Sequence, residues 1–466
     1  VAGAGTAVSG LARGAAAGAV DLVSSAAGSK AVRRTGGGLG LAGAVIAAGL
    51  IAERHAVRRA RALPDVPAHQ RPGPLLGRAT TVIATDGVPL HVILSGPADV
   101  TAAADVTAAM GDTAVMGDTA VMGDTAAASG TGGLSRADHP DTAEHRNSVS
   151  GTERVGSTAY DSSHPNPSSR RSHRRRGAPD GPTFVFVHGF CNTSVSWCFQ
   201  QRALADLGPM VFYDQRAHGR SGPSEVSRCT IDQLADDLYA VLEATVPNRP
   251  LVLVGHSMGG MTILGLAERH PELFDDRVVA VALLSTSAGE LARVTFGFPA
   301  GVTAAVRRVL PGLAVGMRHT PSLFERARLR GTDLAYSITR RVGFGTTDVP
   351  PSVVEFLEGE IAGTPISVIG SFLPTLLAHD KLAAAAVLRN VPTLLMVGDH
   401  DLMTPLPHSR TLADALPEAE LVVEEGAGHA LPLERPDAVN EKIRALVGRA
   451  HPVRRPLLPR PLLDHR

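Results

Sequence analysis

The stretch LVLVGHSMGGM, residues 251–261, closes an apolar run on Gly255 and then sets Ser257 between glycines. A serine at the tip of a strand that turns at once into a helix needs a sharp turn. The turn crowds its own backbone, so the residues two before and two after must be small. Gly255 and Gly259 meet that demand. The hydroxyl is then lifted above the carboxyl ends of the strands, and the helix N-terminus beneath it supplies unpaired N–H groups and a positive dipole end. The chemistry this suits is nucleophilic attack. A serine hydroxyl is a poor nucleophile at neutral pH, so it needs a base, and the base needs an orienting acid.

Two loops offer them. MVGDHDLMTP carries Asp401 and EEGAGHALPLERP carries His429, and each follows a strand-like run. Both residues therefore belong at the carboxyl end, beside Ser257. Asp399 competes with Asp401 for the acid role. Asp399, His400, Asp401 and His408 together could also be read as a metal site. A single loop following a strand explains that grouping better, and no metal is expected. His256 is read as a packing or supporting residue rather than the base, because neighbouring side chains point apart. A tetrahedral oxyanion needs two backbone donors. The Met258 N–H, just after the serine, is one candidate. The Phe190 N–H, in the loop after FVFVHG, is the other, with His188 and Gly189 shaping its turn. Cys191, Cys198 and Cys229 are too few for a disulfide framework and read as small buried apolar residues. A cysteine nucleophile is the weaker alternative to Ser257.

These residues need a scaffold. From Pro182 onward, short and nearly continuous apolar runs alternate with helical patterns: TFVFV, PMVFY, RPLVLVGH, RVVAVALLST, VPTLLMVG and AELVVE. That alternation means a parallel sheet covered on both faces. TIDQLADDLYAVLEATV reads as a helix, opened by a Thr230–Gln233 capping box and carrying Ile231, Leu234, Leu238, Val241 and Leu242 at helical spacing. A hairpin over residues 75–96, turning at Asp86-Gly87, adds an antiparallel edge. Residues 289–390 break the alternation with helix-like stretches and are read as a helical cap. The core is then split between 182–288 and 391–448.

The bulk numbers permit this and exclude some alternatives. The chain has 466 residues, 44% hydrophobic and 19% charged, enough for a sizeable core plus a cap. The formal net charge is zero, so no nucleic-acid partner is expected. Residues 1–62 are Ala/Gly-rich. Within them 36–52 is uncharged and flanked by arginines, at the lower length limit for a membrane helix. Membrane association through 36–52 and a surface or docking helix are both open. A signal peptide is disfavoured by the late start and the arginines that follow. Residues 97–181 contain a six-residue repeat from Met110 and an arginine run at 170–176, and are expected to be disordered. The Pro/Arg-rich tail 449–466 is read the same way. The oligomeric state is not legible.

Together, VFVHGF, YDQRAHGRSG, LVGHSMGGM, VPTLLMVGDHDLMTP and GAGHALPLERP resemble the α/β-hydrolase superfamily, in particular its bacterial serine esterases, lipases and cofactor-free perhydrolases. The resemblance covers about 79–96, 182–289 and 389–447, in the family's order. It implies a mostly parallel eight-stranded sheet with helices on both faces and a helical cap. It implies the order Ser257, Asp401, His429 for nucleophile, acid and base. No cofactor is implied. The implied substrate is a small-molecule ester with a small or medium apolar group, and the implied location is cytoplasmic or membrane-associated rather than secreted. Perhydrolysis and thioester, amide or C–C cleavage use the same triad. The nucleophilic aspartate of the superfamily's epoxide hydrolases is excluded by Ser257. A non-catalytic binding protein on the same fold is the competing class. A membrane-tethered scaffold working through the 97–181 insert can coexist with the hydrolase. Three departures stand out: Ala217 where the family usually has glycine, the long 97–181 connection, and the extra Gly-rich N-terminal run.

Overall fold

Five of the strands are buried along their whole length, as a sheet sandwiched between helices requires. They are β3 (Thr183–Val187), β4 (Met210–Tyr213), β5 (Leu251–His256), β6 (Val278–Leu284) and β7 (Thr393–Gly398). The edge strands β1 (Arg78–Ile83) and β8 (Glu420–Glu424) are partly exposed. β2 (Pro89–Ser95) completes an eight-stranded sheet of order β1-β2-β4-β3-β5-β6-β7-β8. β2 runs antiparallel to both its neighbours, and all other pairs are parallel. The computed structural model describes residues 54–96, 181–297, 300–330 and 332–450. The expectations for 36–52 and for nearly all of 97–181 and 449–466 lie outside the described residues.

Strand alternation divides the core in two. Val185, Val187, Leu253, Val281 and Leu395 face one side. Phe184, Phe186, Val252, Val254 and Met396 face the other. Among the helices, α1 is 54–61, α2 is Cys198–Leu204, α3 is Ile231–Thr245, α4 is Met258–Arg269 and α5 is Glu272–Asp276. The Thr230 hydroxyl caps α3 by accepting the Gln233 N–H at 3.1 Å. The reciprocal half of the expected capping box is not made. The Gln233 amide turns instead to Arg228 and Asp237.

The hairpin is anchored by a fully buried guanidinium. Arg216 donates to both Asp237 carboxylate oxygens at 2.6 Å and to Asp86 at 2.9 and 3.1 Å. Asp86 sits in the β1–β2 turn, and Asp237 sits on α3.

The cap holds five helices: α6 (Ala300–His319), α7 (Pro321–Arg330), α8 (Thr332–Gly343), α9 (Pro351–Gly363) and α10 (Ile366–Ala378). Its base is a β-bridge between Gly289 and Asp380. The expected span of 289–390 reaches too far. Residues 383–390 form a 3₁₀ turn whose Ala385 and Leu388 are buried in the sheet-side core. The boundary was missed because an alanine-rich run suits a cap helix and a core-covering turn equally. Val57 and Ala60 of α1 pack against Tyr336, Phe344 and Val354, so the end of the N-terminal segment lies on the cap. The remaining helices are α11 (Leu406–Ala415), α12 (Leu431–Glu434) and α13 (Pro436–Arg449).

Candidate active site

Ser257 lies between the end of β5 and the start of α4 with φ 52° and ψ −119°. Few non-glycine residues hold such a conformation, and here the surroundings impose it. Its N–H donates to Leu284 O at 3.0 Å, and the Thr286 hydroxyl donates to its carbonyl at 2.6 Å. The glycines are needed for close approach. A Cβ on Gly255 would meet the Gly259 backbone at 2.7 Å, and one on Gly259 would lie 2.0 Å from Val187 O.

His429 reaches the serine from the loop after β8. Its Nε2 is 3.0 Å from Ser257 Oγ, and its Nδ1 is 3.0 and 3.1 Å from the two Asp401 oxygens. With Nδ1–H held by the carboxylate, the Nε2 lone pair faces the hydroxyl. Asp401 also accepts the N–H groups of Met403 and Thr404, each at 2.8 Å, and the Thr404 hydroxyl at 2.9 Å. Burial pushes the Asp401 carboxyl up. The charge His429 carries when protonated and these hydrogen bonds outweigh that and hold it at about 2. All three side chains are buried.

His256 braces the backbone of His429. Its Nε2–H donates to the His429 carbonyl at 2.8 Å. Burial, reinforced by nearby His429, lowers its pKa to about 3, so it stays neutral. Gly189 fits against it, since a Cβ there would lie 2.9 Å from His256 Nδ1 and 3.3 Å from Ser257 Cβ. From the cap side, Gly343 O accepts the Ala430 N–H at 2.7 Å, and Glu434 accepts N–H groups of Gly428, Gly345 and Thr346.

The turn carrying Phe190 is closed by Asn192 N–H donating to Gly189 O at 3.2 Å, with Cys191 at φ 58°. His188 Nδ1–H donates to the same carbonyl at 2.8 Å, and its Nε2 accepts the Gln215 N–H at 2.9 Å. The Gln215 amide returns to His188 O and accepts the Thr262 hydroxyl. Among the described residues, no hydrogen-bond acceptor is placed on the Phe190 or Met258 N–H.

The competing readings find other partners. Asp399 accepts the Gly426 N–H, His400 bonds Gly345 O, and His408 bonds Ser287 and Gly289 O. Among the described residues, no three His, Cys, Asp or Glu side chains are grouped to hold a metal ion. All three cysteines are buried, and burial pushes the Cys191 thiol up to about 12, far from a thiolate. Ala217 occupies the left-handed region at φ 61°, a conformation that favours glycine. Thr404 was not singled out from sequence, although the T of DLMTP follows the acid by three residues, the spacing of a local side-chain turn.

A cavity of about 630 Å³ opens beside the acid loop, between α1, α8 and residues 399–402. Asp401 lines it, whereas Ser257 and His429 do not. It is therefore not where the serine would meet a substrate. Met258, the residue after the serine, is buried with Phe372 and Leu376, and Phe190, Leu291 and Val368 pack against that apolar cluster.

A family model described as the alpha/beta hydrolase fold matches residues 182–436. The chain belongs to the α/β-hydrolase fold family. The mostly parallel eight-stranded sheet with helices on both faces is the one the resemblance implied. Among curated relatives, this α/β-hydrolase is 27% identical over 283 residues to the dihydrolipoyllysine-residue acetyltransferase component of an acetoin cleaving system from Pseudomonas putida. That match takes in 58% of this chain and 65% of the relative. It is 35% identical over 100 residues to epoxide hydrolase 1 of Caenorhabditis elegans, covering 21% of this chain and 24% of that one. The α/β-hydrolase thus spans less than two thirds of either relative. Among solved structures, an esterase from Exiguobacterium antarcticum superposes with a TM-score of 0.51 at 15% identity, over 80% of this chain and 100% of the esterase, a likeness of fold.

Proposed function

We propose that the chain is a serine hydrolase that cleaves a carboxylic ester of a small or medium apolar substrate through an acyl-enzyme. The observation that carries this reading is the His429 ring, bonded to Ser257 Oγ through one nitrogen and to Asp401 through the other. His429 takes the Ser257 proton as the oxygen attacks the ester carbonyl. Asp401 holds the ring and stabilises its cation. The Phe190 and Met258 N–H groups donate to the developing oxyanion. His429 then returns the proton to the leaving alcohol. In the second half it removes a proton from water, whose oxygen attacks the acyl carbon; it then returns that proton to Ser257 Oγ as the acyl–oxygen bond breaks and the acid leaves.

The apolar surroundings of Phe190, Met258 and Phe372 support an apolar acyl or alcohol group. A serine at the elbow, rather than an aspartate, argues against the epoxide opening named for one relative. The test is hydrolysis of p-nitrophenyl esters, from acetyl to palmitoyl, by the wild type and Ser257→Ala, alongside fluorophosphonate labelling. Turnover and labelling lost together in the mutant would support the mechanism, and the chain-length optimum would size the pocket. A folded wild type that neither turns over an ester nor takes the label would overturn it in favour of a binding protein.

A further inference from the structure

The turn that presents the Phe190 N–H is held from two directions. On the core side, His188 and Gln215 fix its beginning through buried hydrogen bonds. On the other side the contacts come from the cap. The Phe372 ring of α10 lies 6.2 Å from the Phe190 ring, centroid to centroid. Thr364, at the end of α9, lies beside the Cys191 side chain. Glu360 of α9 makes the closest contact. One of its carboxylate oxygens accepts the Thr193 N–H at 2.6 Å, and the other accepts the Thr193 hydroxyl at 3.0 Å. Thr193 in turn caps the following 3₁₀ turn by accepting the Val195 N–H.

Two features mark this as more than a packing contact. The carboxylate is largely buried and spends both oxygens on one residue, three positions past Phe190. It also spans the boundary between cap and core, joining residues 167 positions apart. A cap that lifts must break this pair and leave Thr193 held by its local bonds to Val195 and Ser196, without the carboxylate that fixes its N–H. The next residue, Ser194, stays with the core, because its N–H donates to Asp214 at 2.8 Å. The freedom released is therefore confined to the turn that carries the donor.

We infer that Glu360 is a positioning residue that couples closure of the cap to assembly of the oxyanion donor at Phe190. The inference rests on the serine hydrolase reading above. Its consequence is that the donor set is complete only with the cap seated, so an open enzyme binds ester but stabilises the tetrahedral state poorly.

The experiment uses the full chain with Glu360→Ala, Glu360→Gln and Thr193→Ala, on whichever p-nitrophenyl ester the wild type turns over. The readouts are kcat, KM, thermal midpoint and inhibition by an alkylboronic acid, which adds to the serine as a tetrahedral anion. Displacing a donor by a fraction of an ångström costs about ten- to a hundredfold. Glu360→Ala should lose about that in kcat, with KM nearly unmoved, and boronate affinity should fall in parallel. Glu360→Gln should recover most of both, because its amide oxygen still accepts the Thr193 N–H. A fall in thermal midpoint with unchanged kcat and boronate affinity would mean an ordinary packing contact and overturn the inference. So would a loss in KM alone. If Glu360→Ala does not fold, Glu360→Leu, which fills the space but accepts no hydrogen bond, carries the test, and full wild-type kcat and boronate affinity in it would overturn the inference. Wild-type turnover with unmoved variants counts against Glu360 alone, whereas a wild type inert to esters and boronates overturns the underlying reading as well.

Discussion

Asp401 gathers five hydrogen-bonding contacts on two oxygens, two of them to one imidazole nitrogen. An amide in its place would keep the shape but offer the ring only one acceptor and favour the wrong tautomer. Asp401→Asn should lower kcat by about 10⁴-fold with KM little changed, measured on the best p-nitrophenyl ester. The pH consequence follows from its depressed pKa. A carboxyl held at about 2, below its usual value, stabilises the fold above that usual value and loses the contribution as pH falls toward about 2. Acid-unfolding curves of wild type and Asp401→Asn should therefore differ at neutral pH and converge only near the acid extreme. The acid limb of activity should not come from Asp401. Ser257, Asp401 and His429 were legible because each stands in a short motif just past a strand, where topology fixes the meeting place. Glu360 was not, because it reaches across from a cap helix whose sequence is an ordinary amphipathic pattern, and no local spacing ties it to Thr193.

At the scale of elements, the strand–helix elbow depends on missing side chains more than on present ones. Gly259→Ala would drive a methyl to 2.0 Å from the Val187 carbonyl oxygen and 2.9 Å from that of His188. β3 cannot yield there without opening the β3–β5 ladder. We expect little or no folded protein from this variant, read by circular dichroism and soluble yield. The loop after β4 gives the opposite case. Ala217 sits at φ 61°, which costs an L-residue about 1–2 kcal/mol. Glycine removes that strain and adds about 0.4–1 kcal/mol of unfolded-state entropy. Ala217→Gly should be neutral to stabilising, by up to ~1 kcal/mol in denaturant unfolding. The strands were readable because a fully buried strand is an unbroken apolar run. The end of the cap was not, because residues 383–390 return to the sheet as a 3₁₀ turn without a change in composition.

At the scale of the whole molecule, the hairpin is held by the β2–β4 ladder, by Val82, Leu90 and Val92 packed in the core, and by one buried cation. Arg216 meets Asp86 and Asp237 at once, which lysine cannot do from a single ammonium with the same planarity. Arg216→Lys should leave a buried carboxylate under-satisfied and cost about 3–5 kcal/mol, seen as a lowered midpoint in urea. Hydrogen exchange should then rise first in β1 and β2. The β2–β4–β3 order carries a further implication. Ser95 and Phe184 both stand opposite Met210, one on each side of the same strand. The points where the chain leaves and re-enters the sheet are thus two strand spacings apart, about 10 Å. A bridge of a few residues could join them in place of 96–182. Replacing 96–182 with about eight residues should leave the urea midpoint no lower than that of the wild type, because no strand pairing is cut. Conversely, the backbone can be severed between those two points without cutting any ladder. Two separately expressed pieces, one ending after β2 and one beginning before β3, should find each other through β4 and the Arg216–Asp86 contact and reconstitute a working split enzyme.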